Sequence, residues 1–127
     1  MMCALARFLR DRRGVAAIEA ALILPVVLLM IAGIIEYGRV LIGQHMIRDI
    51  VDEGARTAAV TGQTQAEVTT AVDNLVATVP ALDSYTVSAT LTGSAVTVTV
   101  SGSFNSFFGD LLPDTVLDFT ISSVYPL

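Results

Sequence analysis

Glu19 is the sole charged residue among the 21 residues from Val15 to Ile35, and it stands five positions after Gly14. Carrying a carboxylate into lipid on a helix costs about 2.5–3.5 kcal/mol, so an acid kept in such a place asks for a partner. The chemistry open to it is charge pairing. Elsewhere the reactive residue types are sparse. His45 has no Cys or second His at metal-ligand spacing, and a solvated histidine accounts for it. Cys3 is the single cysteine and lies too close to the N-terminus to follow an apolar signal as a lipidation site would, and it allows no disulfide within the chain. Asp52 and Glu53 are adjacent rather than facing. The chain has no Gly-rich phosphate loop, nucleophile elbow or Ser/His/Asp set. The sequence therefore predicts no enzyme activity, no cofactor and no metal.

The element that must position Glu19 is a helix. At 1.5 Å rise per residue the apolar segment covers about 30 Å, the thickness of the hydrocarbon layer, which predicts a single transmembrane helix over residues 15–36. Its flanks are oppositely charged. Arg7, Arg10, Arg12 and Arg13 against Asp11 give the leader, residues 1–14, a charge of +3, whereas Arg39, Arg48 and Arg56 against eleven acids give the remainder −8. Basic residues beside one end of a span are retained in the cytoplasm, so the orientation expected is N-terminus in, C-terminus out. The acidic remainder also argues against a nucleic-acid partner. A secretory signal has an apolar region of about 7–15 residues, shorter than this one, so loss of the whole span is not expected. The chain either stays anchored by an uncut helix or is cut on its basic side.

Beyond the span, Tyr37, Val40, Leu41, Ile47, Ile50, Val51, Gly54, Ala55 and Ala58 recur at helical spacing, which continues the helix to about Ala59. Arg48 with Asp52, and Asp52 with Arg56, stand at i, i+4 and would add about 0.2–0.5 kcal/mol each. Pro25 predicts a kink, and Gly33, Gly38 and Gly43 further loosening. Thr64-Gln65-Ala66-Glu67 has the spacing of a capping box. It opens a second helix carried by Val68, Ala71, Val72, Leu75, Val76 and Val79 and stopped by Pro80. After Asp83 the period becomes 2. Tyr85, Val87, Ala89 and Leu91, a Gly93-Ser94 turn, and Val96, Val98 and Val100 read as a hairpin, and Leu117, Phe119 and Ile121 as a third strand.

The fold class is therefore α+β: a long N-terminal transmembrane helix continuing outside the membrane, a second amphipathic helix, and a small three-stranded antiparallel sheet over residues 37–127. From Val60 onward only 68 residues remain, too few to build a strong core alone, so the sheet must borrow packing from the outer half of the first helix or from a neighbouring subunit. The connection from Phe104 to Pro113 is more apolar than a loop requires. Phe104, Phe107 and Phe108 either plug the end of the sheet or form a partner-contact loop.

Gly14, with Glu19 five residues on and a basic leader before it, resembles the processing site of type IV prepilins and pseudopilins. The run from Arg12-Arg13-Gly14 through Glu19 and Leu24-Pro25 to Gly33-Ile34-Ile35-Glu36-Tyr37-Gly38-Arg39 is more narrowly similar to TadE-like proteins, minor pseudopilins of the tight-adherence (Tad/Flp) pilus system. The resemblance covers residues 12–59. It implies a pilin-like exported domain at residues 37–127 and cleavage by a prepilin peptidase between Gly14 and Val15, with Arg12 and Arg13 holding the bond at the anionic membrane surface. It further implies an assembly contact in which Glu19 pairs with the new amine of an adjacent subunit. The partners implied are the peptidase, other pilins or pseudopilins, inner-membrane assembly proteins and membrane lipid, in a homo- or hetero-oligomer. The location implied is the bacterial inner membrane, with the C-terminal domain periplasmic or carried into a pilus. The major Flp pilin carries Glu-Tyr after its cut and is shorter, whereas here Ala20 follows Glu19, which points to a minor or initiating subunit. Glu36-Tyr37 lies too far from Gly14 to substitute and marks the outer membrane interface. The rival readings are an uncut, single-span anchor of a secretion complex and a membrane-tethered sensor or binding module.

Overall fold

The computed structural model describes residues 12–107 and 117–127, without the side chains of Arg12 and Arg13. Helix α1 spans Arg12–Thr61, α2 spans Gln65–Val76, and strands β1 (Leu82–Thr92), β2 (Ala95–Phe104) and β3 (Asp118–Pro126) follow. The chain divides into two compact units, Met1–Ile35 and Glu36–Leu127.

In the first unit every side chain from Val15 to Ile31 is exposed, large aliphatics such as Leu22 at 72% and Met30 at 65% included. A helix apolar on all faces is stable only where something other than water covers it. This segment lies in a helix long and apolar enough to cross a membrane. The helix runs on through Pro25. Gly33 and Gly38, expected to loosen it, also lie within it, each facing open space.

In the second unit the outer part of α1 has one apolar stripe. Val40, Ile47, Val51, Ala55 and Ala58 are buried at spacings that keep them on one side of a 3.6-residue helix. Tyr37 and Leu41, expected on that stripe, are instead 60% and 42% exposed. Leu41 falls about 100° around the wheel from Val40, at the stripe's margin. The helix ends where Gly62, at φ 66°, donates its N–H to the Ala58 carbonyl at 3.0 Å, a left-handed cap that glycine adopts without steric cost. The expected pairs of Asp52 with Arg48 and Arg56 do not form. Arg56 instead makes a two-pronged contact with Glu53, its Nε and Nη2 at 3.1 and 2.9 Å from the carboxylate.

Helix α2 begins with the expected capping box. The Thr64 hydroxyl accepts from the Glu67 N–H at 3.4 Å, and Thr64 N donates back to the Glu67 carboxylate at 2.8 Å. Its buried face is Val68, Val72 and Val76, at successive i, i+4 positions.

The sheet has the order β1-β2-β3, antiparallel throughout, with Thr92 opposite Ala95 across the Gly93-Ser94 turn. The central strand, β2, supplies the densest packing: Val96, Val98 and Val100 are each fully buried while their neighbours are partly exposed. These valines join the α1 and α2 stripes with Ala89, Leu117 and Phe119 in one core. At Gly102 the strands approach closely beside a register shift between Leu82 and Ser84. A Cβ there would strike the Ser84 carbonyl and lie 2.8 Å from the Tyr85 Cα. The architecture is thus α+β, with the small sheet packed on the helix that leads to it.

Candidate functional site

The residues singled out near the N-terminus lie on the opening turns of α1. Gly14 is half-buried, and Val15 is 53% exposed. Arg12 and Arg13 belong to the helix, but their side chains lie outside the described residues, as do leader residues 1–11. Glycine is about 1 kcal/mol less favourable than alanine inside a helix, so Gly14 weakens the opening turn it stands in. Glu19 is exposed one turn beyond Val15, about 6 Å along the axis. Among the described residues it has no hydrogen-bond or ion-pair partner. Inside an apolar helix, its carboxylate is the group left to be satisfied from outside.

The second unit opens on a different acid. Glu36 is 2% exposed, the single buried charged residue among those described. It sits four residues before Val40 and eleven before Ile47, which aligns it with the buried stripe of α1. Its Oε1 accepts two hydrogen bonds, from Arg39 Nη2 at 2.8 Å and from the backbone N–H of Phe107 at 3.0 Å. Arg39 Nη2 also donates to the Asn105 carbonyl. Its guanidinium carbon stands 5.4 Å from the centre of the Phe107 ring, within cation–π range. Asn105 is held from its other side, donating its N–H to the Ala81 carbonyl at 2.8 Å. Glu36 and Arg39 thus fasten the chain leaving β2 to the first turns of the second unit. A buried carboxylate is tolerated because both a counter-charge and a backbone donor face it.

The three phenylalanines read from the sequence separate. Phe104 is a core residue, 2% exposed, with its ring 5.0 Å from that of Phe119 and its edge against Gly43. Phe107 is 84% exposed. Phe108 lies outside the described residues. Glu19 and Phe107 fall in different units.

Glu36 was legible only as an interface marker, because Tyr37 follows it and the apolar run ends there. The signal that finds it is its phase. An acid on the buried line of a helix, with arginine at i+3, is a paired acid rather than a solvated one.

Residues 14–56 match the family model described as TadE-like protein. The match begins at Gly14, takes in Glu19, Glu36 and Arg39, and leaves out α2 and the sheet. No curated protein and no solved structure matches the chain. Together with an apolar helix long enough to cross a membrane, the match suggests a membrane-anchored component of the Tad pilus system. The segment bearing both acids is TadE-like, consistent with a TadE-like protein of that system.

Proposed function

We propose that the chain is a minor pseudopilin, cut by a prepilin peptidase between Gly14 and Val15 and used to start or cap assembly of a Tad-type pilus. The observation that carries this reading is Glu19: an exposed, unpartnered carboxylate in an apolar helix, one turn beyond the residue whose amine the cut would free. Pairing that carboxylate with the Val15 amine of an adjacent subunit satisfies two charges that are each costly in lipid. Before cleavage the amine does not exist and the acid has nothing to pair with. The +3 leader facing a −8 remainder supports an N-terminus in the cytoplasm and a domain outside it. Arg12 and Arg13 hold the bond at an anionic surface, each contributing about 1 kcal/mol.

The test is the mass of the protein taken from its native membrane. A chain beginning at Val15 supports the reading, and an intact chain beginning at Met1 sinks it in favour of an uncut single-span anchor. Replacing Gly14 with a bulky residue is expected to leave the leader attached.

A further inference from the structure

We propose that the outer edge of β3 in its C-terminal half, together with the acidic cleft between it and α1, takes up an extended basic segment of a second protein as a fourth strand of the sheet. Every residue involved belongs to the second unit, so the site does not depend on whether the bond at Gly14 is cut.

The sheet ends on β3, because the strand order is β1-β2-β3. One edge of β3 pairs with β2, and the other has no partner among the described residues. An open strand edge offers a row of N–H and C=O groups to another chain, and proteins blunt such edges with bulges, charges or proline. The opposite edge of the sheet is blunted in this way: β1 carries Asp83 at a register shift between Leu82 and Ser84. On β3 the register with β2 is unbroken, and from Phe119 to Tyr125 there is neither charge nor proline. Leu127 donates its N–H to the Ser94 carbonyl at 3.0 Å, so the end of the strand is already held and little ordering opposes pairing. Residues 108–116 do not reach this stretch. They join Phe107 to Leu117 at the end of the sheet where Ser103 faces Asp118. A loop of that length extends at most about 17 Å from its ends, whereas Val124 stands about 23 Å along β3 from Leu117.

The cleft selects the occupant. Ser123 and Tyr125 fall on the same side of β3 as the buried Phe119. With Val124 they line an open cleft of about 490 Å³ whose other wall is Asp49, Asp52, Glu53 and Arg56 of α1. Arg56 is engaged by Glu53. Asp49 and Asp52 have no hydrogen-bond or ion-pair partner among the described residues, and residues 108–116 contain no Lys, Arg or His. Side chains of an added strand alternate, so every second one enters the cleft, where a Lys or Arg meets Asp49 and Asp52. Main-chain hydrogen bonds supply the attachment, and the cleft supplies the preference for side chain. A second copy of the chain does not fit. No Lys, Arg or His follows Arg56, so none of its strands is basic, and pairing two copies edge to edge brings two acidic clefts together.

The test uses the full chain in an uncharged detergent and fluorescently labelled peptides as long as β3. One alternates lysine with valine, a second has glutamate in place of lysine, and a third is the lysine peptide N-methylated throughout, which keeps its charge but has no backbone N–H to donate. Only the lysine peptide is expected to bind, read as a rise in its anisotropy, with amide exchange slowed on β3. Asp49 and Asp52 are exposed, so Asp49→Asn with Asp52→Asn is expected to melt with the wild type while binding the peptide about fivefold more weakly. Equal binding of the N-methylated peptide means that charge alone attracts it and overturns strand addition. Equal binding by the asparagine variant, or of the glutamate peptide, overturns the basic partner. No binding of the lysine peptide, or slowed exchange elsewhere than on β3, overturns the site. Exchange on β3 that slows with protein concentration alone assigns the edge to a second copy, and tighter binding of a peptide of residues 1–14 assigns it to the chain's own leader; either result overturns the second protein.

Discussion

The carboxylate of Glu36 accepts the backbone N–H of Phe107 at 3.0 Å, joining the start of the second unit to the segment that follows β2. Arg39 reinforces the join from the same helical turn. Hydrogen bonds to charged groups are worth about 1.5–3 kcal/mol each, and Arg39 is partly solvated, so Glu36→Ala is expected to cost about 2–3 kcal/mol. Glu36→Gln keeps an acceptor for the amide and should cost about 1 kcal/mol less. Thermal unfolding of the full chain in detergent reads both. An alanine variant melting with the wild type would show that the join does not hold the segment.

Gly43 is a contact position rather than a loosening one. A Cβ there would press on the edge of the Phe104 ring, which is hemmed in by Phe119 at 5.0 Å. Gly43→Ala is expected to destabilise by about 1–3 kcal/mol despite alanine's better helix propensity. Adding Phe104→Leu should make the two changes non-additive, with part of the loss recovered in a double-mutant cycle. Simple additivity would mean the ring moves aside freely.

The capping box gives α2 a pH dependence. Thr64 donates to the Glu67 carboxylate through its backbone N–H, and then through its hydroxyl, and holds its pKa below the ordinary 4.5. A lowered folded-state pKa contributes stability that is present above the unfolded value and lost as pH falls through the folded one. The melting temperature is therefore expected to drop as pH falls below about 4.5, with the Glu67→Gln variant showing a shallower fall. Thr64→Ala should cost about 1 kcal/mol at neutral pH. Parallel pH profiles for wild type and Glu67→Gln would remove Glu67 from the account.

The proposed pseudopilin reading expects Glu19 to separate cutting from assembly. Because the bond at Gly14 lies one turn away, Glu19→Ala is expected to be processed to a chain starting at Val15 yet recovered poorly with pilus proteins. Mass measurement and co-purification read the two steps independently. Normal recovery with partners would end the pairing role.

Most of the fold is legible in the sequence, because its signals are local. Val68, Val72 and Val76 announce a helix face, Thr64 and Glu67 its start, and Gly93-Ser94 the turn between strands of alternating valine and threonine or serine. What escaped the sequence depends on distant partners. Phe104 and Phe107 lie three residues apart, yet one meets Gly43 and Phe119 in the core while the other stands in the open. Nothing in their composition distinguishes them. Arg56 pairs with Glu53 rather than Asp52 for a local reason that spacing alone does not show: the longer acid at i−3 reaches both Nε and Nη2. Glu19 was legible at once because a single charge in an apolar run needs no partner to be noticed.

The spacing of the Glu36 partners also orders events in time. Arg39 is three residues away and can neutralise the acid as soon as that helical turn forms, whereas Phe107 emerges 71 residues later. On the growing chain Glu36 therefore has its counter-ion well before the amide is made. The Phe107 amide can join the carboxylate only once the end of β2 has been made, so closure around Glu36 comes last.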